Sequence, residues 1–75
     1  MKANICGNKI RELRVQNKMD QVELAAELSV EYDIKLDQSD ISEIERRVRG
    51  VKDFELLAFA KTFNVSTDFL LGLDE

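Results

Sequence analysis

Each run of apolar residues at helical spacing in this chain follows a side chain able to cap a helix, and no proline interrupts any of the 75 residues. A helix opens with four backbone amides that lack intrahelical partners, so Asp, Asn or Ser at the boundary supplies an acceptor where one is needed. Asn4, Asp20, Asp37, Asp53 and Ser66 hold such positions. This punctuation divides the chain into five short helices and favours an all-α fold in a single domain spanning residues 1–75.

The first segment, residues 5–17, sets Ile5, Ile10 and Leu13 at helical spacing among Lys9, Arg11 and Glu12, with Asn4 as its cap. Asp20-Gln21-Val22-Glu23 has the form of a capping box and opens a second helix over residues 20–31, whose apolar face is Leu24, Ala25 and Leu28. Residues 32–36 alternate polar and apolar side chains over too few positions for a stable strand, which predicts an ordered connector pinned to the core by Ile34 and Leu36. Asp37 caps a third helix, residues 38–47, in which Ile41, Ile44 and Val48 fall within about 60° of one another on a helical wheel. Asp53 precedes residues 54–63, whose wide apolar surface predicts a central, largely buried helix. Ser66 caps a last helix over residues 67–71, with Asp68 suited to its positive first turn and Gly72 to its stop.

Composition narrows the function. Apolar residues make up 44% and charged residues 35% of the chain, the balance of a water-soluble globular protein. No apolar run approaches the roughly 20 residues that span a bilayer, and no secretory stretch follows Met1, so a cytoplasmic location without membrane contact is expected. The lone Cys6 cannot close an internal disulfide, and is read as a half-buried small apolar residue. The absence of histidine leaves no zinc-ligand cluster to propose. Gly7, Gly50 and Gly72 are too far apart to cradle a phosphate, and the carboxylates show no paired acid–base pattern. Binding is therefore expected rather than enzymatic chemistry, with no cofactor.

Ile10-Arg11-Glu12-Leu13-Arg14, Asp20-Gln21-Val22-Glu23-Leu24-Ala25, Ile41-Ser42-Glu43-Ile44-Glu45-Arg46, Glu55-Leu56-Leu57-Ala58 and Val65-Ser66-Thr67-Asp68-Phe69-Leu70-Leu71-Gly72 occur in that order. Over residues 5–72 the chain thereby resembles the phage-repressor and Cro-like (Xre-type) helix-turn-helix regulators. The resemblance implies a five-helix, lambda-repressor-like DNA-binding domain whose third helix enters the major groove of double-stranded DNA. It places Gln21 on a phosphate and Gln38, Ser39, Ser42 and Glu43 at base edges. It also implies a largely buried ion pair between Arg14 and Glu45, residues that each project about 65–70° from the apolar centre of their own helix. A transcriptional repressor acting as a homodimer on a partly palindromic operator follows as the expected function. The apolar C-terminus, Phe69, Leu70, Leu71 and Leu73, would serve either as dimer interface or as core.

The wheel supports the same reading face: opposite Ile41, Ile44 and Val48 stand Ser39, Glu43 and Arg46, with Ser42 beside them. Glutamine can pair bidentately with adenine and a carboxylate can accept from cytosine, although on residues alone Gln38 and Ser39 also read as ordinary helix-start polarity. Three features depart from the family pattern. The connector between the second and third helices is about six residues longer than the usual tight turn. Arg47 stands where the family commonly has glycine, so the third helix is expected to continue toward Gly50. The third departure is charge: residues 20–45 carry a net −8, which weakens general attraction to phosphates and admits an alternative, a protein-interaction module of antitoxin or adaptor type. Arg46, Arg47, Arg49 and Lys52 then form a basic run, from which Arg46, Arg47 and Lys52 are assigned to phosphates and Arg49 to bracing the fourth helix.

Overall fold

The computed structural model describes residues 2–73, and within them all regular structure is helical. The helices are α1 (Gly7–Gln16), α2 (Gln21–Tyr32), α3 (Gln38–Glu45), α4 (Asp53–Phe63) and α5 (Thr67–Leu70). α1 packs on α3 and α4, α2 packs on α3 and α4, and α5 closes against α4. Ile10, Leu24, Leu28, Ile41, Ile44, Phe59 and Leu70 are fully enclosed where these helices meet.

Local hydrogen bonds explain the helix starts. Asp20 accepts from the Glu23 amide at 2.8 Å while Glu23 accepts from the Asp20 amide at 2.8 Å, and Asp37 and Asp40 repeat this reciprocal box at 2.9 and 3.0 Å. Ser66 accepts from the Phe69 amide at 2.9 Å. Two starts differ from expectation. Asn4 caps α1 from outside it by accepting from the Gly7 amide at 2.8 Å, so Ile5 precedes the helix and is 61% exposed. Asp53 is the first residue of α4 and not its cap; Glu55 closes that start by accepting from the Lys52 amide at 2.9 Å.

The helix ends carry a less familiar signal. α1, α3 and α4 stop in left-handed conformations at Lys18, Arg47 and Asn64, with φ of 57°, 64° and 56°, and Asp33 after α2 has φ 53°. After α3, the Arg47 amide bonds to the Ile44 carbonyl and the Val48 amide reaches back to Glu43, a Schellman closure. The third helix therefore does not continue toward Gly50: it ends at Glu45, and Val48, expected on its apolar face, is 57% exposed. Gly72, at φ 76°, ends α5 as expected.

The connector behaves as predicted, with Ile34 buried and Leu36 packed against the core. Cys6 is buried rather than half-buried, and burial pushes its thiol pKa up, which keeps it protonated. α4 is only partly the enclosed helix expected from its composition. Ala58, Phe59, Ala60 and Phe63 enter the core, whereas Phe54 and Leu57 remain about half exposed. At the C-terminus Leu70 belongs to the core, Phe69 packs against it, and Leu73 is exposed.

Candidate nucleic-acid interface

α3 lies against α2 across the connector of residues 33–37 and presents two chemically different sides. Ile41, Ile44 and Glu45 face inward; Gln38, Ser39 and Arg46 are exposed, and Ser42 and Glu43 half-buried. For Ser39, Glu43 and Arg46 this division follows from helical period, which sets them opposite Ile41 and Ile44, whereas Gln38 lies at the edge of the inward side and is exposed as the first residue of the helix.

The buried Glu45 has both carboxylate oxygens hydrogen-bonded and its charge matched by Arg14. Arg14 donates from Nε to Oε2 at 2.6 Å and from Nη2 to Oε1 at 3.1 Å, and Gln21 donates to Oε1 at 3.1 Å. Arg14 also donates to the Met19 carbonyl at 2.7 Å, fixing the turn between α1 and α2. The hydrogen bond to Glu45 pushes the Arg14 pKa further up, so the guanidinium stays charged.

An ordered amide chain starts from this pair. An ionised carboxylate only accepts, so Gln21 must turn its nitrogen toward Glu45 and its oxygen away. That oxygen accepts from Gln38 Nε2 at 2.7 Å. The amide plane of Gln38 is thereby oriented, with Oε1 and its second N–H left for an external partner. Gln21, expected at a phosphate, has its side chain engaged between Glu45 and Gln38, a contact no local motif signals, and keeps one N–H of its amide.

The basic run divides by function. Arg46 is exposed and approaches Ser42 Oγ at 3.3 Å, and Lys52 is exposed with its Nζ 5.9 Å from the Phe54 ring centroid. Arg47 directs Nε to the Asn4 carbonyl at 2.8 Å. Arg49 braces α4, donating to both oxygens of the buried Glu55 at 3.0 and 3.1 Å. Burial alone would raise the Glu55 pKa, but the bonds from Arg49 and the Lys52 amide outweigh it and hold the carboxyl below its ordinary value. A carboxyl depressed in the folded state contributes stability above its unfolded pKa and loses it as pH falls through the folded one. The melting temperature should therefore drop as pH is lowered below the ordinary carboxylate range. A Glu55→Gln variant should melt lower than the parent at neutral pH and lose less on acidification; equal acid sensitivity of the two would refute this role.

Asn4 does more than cap α1: its Nδ2 also donates to the carbonyls of Ile44 and Arg49 at 3.2 and 2.7 Å. With the bond from the Ala3 amide to the Arg47 carbonyl at 3.1 Å, the N-terminal segment anchors the end of α3 and the basic loop after it.

A helix-turn-helix family profile matches residues 10–70. Among curated protein sequences none matches. The chain is similar to the P22 c2 repressor protein in a crystal structure with synthetic operator 9T in the presence of Tl+, with a TM-score of 0.78 and 28% identity. The similarity covers 95% of this chain and 98% of that one. With all five helices and the profile in agreement, the chain belongs to the helix-turn-helix family of phage-repressor type.

Proposed function

We propose that this protein is a sequence-specific DNA-binding transcriptional regulator, a repressor, that lays α3 in the major groove of a partly palindromic operator and binds as a homodimer. The observation that carries the reading is the amide chain from Glu45 through Gln21 to Gln38, which presents an oriented glutamine on the outer face of α3. It belongs to a fold similar to that of a repressor solved with its operator. An oriented glutamine can donate to adenine N7 and accept from its N6 amino group. Ser39, Ser42 and Glu43 complete the reading face. Phosphates are met by the second N–H of Gln21 with the start of α2, by Arg46 and Lys52, and by the terminal nitrogens of Arg47.

The acidic middle of the chain shapes the affinity. Four of its acids close the capping boxes of α2 and α3, and Glu45 is matched by Arg14, but none of this removes their field. The protein should bind selectively at moderate salt, with weak affinity for arbitrary duplexes.

Selection from random duplexes, followed by titration at two salt concentrations, tests the reading. An enriched, partly symmetric motif with half-sites about 10 base pairs apart, bound more weakly at higher salt, is expected. Gln38→Ala should relax preference at one adenine position per half-site, by about 1–3 kcal/mol. No enriched motif together with capture of a basic protein would favour the interaction-module reading, which the net −8 of residues 20–45 supports.

A further inference from the structure

α4 carries an outward stripe in which Phe54 and Leu57 are 53% and 49% exposed, with Asp53 at its start and Lys61 toward its end. Beside the stripe, Tyr32 and Ile34 help to wall an apolar groove of ≈ 160 Å³. We infer that this face pairs with the same face of a second copy of the chain, the two α4 helices lying antiparallel about a two-fold axis at Leu57. The inference rests on the homodimeric DNA-binding reading above and supplies the contact that joins the two copies.

The register follows from spacing. At 100° per residue, Asp53, Leu57, Lys61 and Phe54 share an arc of about 100°, so they form one face. Leu57 stands midway between Asp53 and Lys61. An antiparallel pair centred on Leu57 therefore sets Asp53 of each copy against the partner's Lys61, twice over. Phe54 then falls beside the partner's Leu57 and the apolar stem of the partner's Lys61, and each groove receives a side chain from the other copy.

Charge singles out this face from the other exposed apolar ones. On α2, Val22 and Val30 are exposed, but Glu23, Glu27 and Glu31 run beside them, so two such faces would set acids against acids. At the C-terminus Leu70 is core, Phe69 packs against it, and Leu73 stands alone. The α4 face has one charge of each sign at its two ends, and a two-fold axis makes it complementary to itself. A contact centred on two half-covered side chains per copy falls short of about 1,200 Å², the lower bound for stable complexes. Free copies should therefore pair weakly, and pair firmly once adjacent half-sites raise their effective concentration.

Sedimentation of the full chain over a wide concentration range, with titration of duplexes carrying two selected half-sites or one, tests the face. Leu57→Glu should abolish pairing, lower affinity for the two-site duplex about 100-fold and leave one-site affinity at the parental value. Lys61→Glu should weaken pairing by facing acid with acid, and adding Asp53→Lys to the same chain should restore it. Parental pairing in Leu57→Glu overturns the face, as does a Lys61→Glu defect that Asp53→Lys leaves unrelieved. A parent that binds the one-site duplex but never pairs, free or on two sites, overturns the face and leaves the DNA reading intact. A parent that pairs through Leu57 yet enriches no duplex overturns the DNA reading and leaves the face standing; one that does neither overturns both.

Discussion

Glu45→Ala is expected to be the most damaging single truncation of the recognition helix, costing about 3–5 kcal/mol, because it strands the Arg14 guanidinium in a nearly closed site. Only 13% of the Arg14 side chain and 4% of the Glu45 side chain are exposed, so water cannot easily replace the lost carboxylate. A domain of this size has only about 4–11 kcal/mol of stability to lose. Thermal melting should show a drop well beyond about 10 °C. The cost should be non-additive: with Arg14→Ala already in place, removing Glu45 should cost much less, since no buried cation is left behind. A Glu45→Ala variant as stable as the parent would refute the pair as a structural element. The consequence for binding follows from the amide chain. Without Glu45, Gln21 loses the acceptor that orients it, and Gln38 loses its own fixed orientation. At temperatures where the variant remains folded, discrimination at the Gln38 base should weaken along with affinity.

What the sequence disclosed depended on how local the signal was. Three helix starts were legible because their signal lies within four residues, the capping box at Asp20–Glu23 and the caps Asp37 and Ser66, whereas Asn4 and Asp53 marked the right regions but not the cap positions. Helix ends were legible where the apolar spacing simply ran out, as at Phe63, or where glycine stood, as at Gly72, but the stops at Lys18, Asp33, Arg47 and Asn64 carried no mark, because these residues adopt the left-handed conformation that glycine usually advertises. That is why α3 was expected to run on and Val48 was assigned to an apolar face it does not reach. The family pattern pointed to Arg14 and Glu45 and the helical wheel to the outer face of α3, each resting on spacing within one helix. The contacts of Gln21 with Glu45 and Gln38, and of Asn4 with Ile44 and Arg49, link residues 17 to 45 positions apart. Nothing in local spacing encodes them.

Gly7→Ala should rival Glu45→Ala in effect, although it adds a single methyl group. The demand here is for space and not for backbone freedom, since Gly7 lies within α1. A Cβ at this position would overlap the Ile44 carbonyl oxygen and stand 2.9 Å from Arg47 Cγ and 3.1 Å from Asn4 Oδ1. The Ile44 oxygen is main chain, so it cannot rotate away; α1 and the end of α3 would have to separate. Overpacking of this kind costs about 1–3 kcal/mol, and more where backbone must move. Separation would also stretch the bonds from Asn4 to Ile44 and Arg49 and from Ala3 to Arg47, which anchor the loop carrying Arg46 and Lys52. The variant should therefore show two losses of different kind: a lower melting temperature, and weaker, less salt-dependent operator binding at temperatures where it is fully folded. Where space allows, glycine to alanine in a helix stabilises by up to about 1 kcal/mol, so the sign of the change is itself diagnostic. A Gly7→Ala protein that melts at or above the parent would mean that α1 and α3 do not approach as closely as this geometry requires.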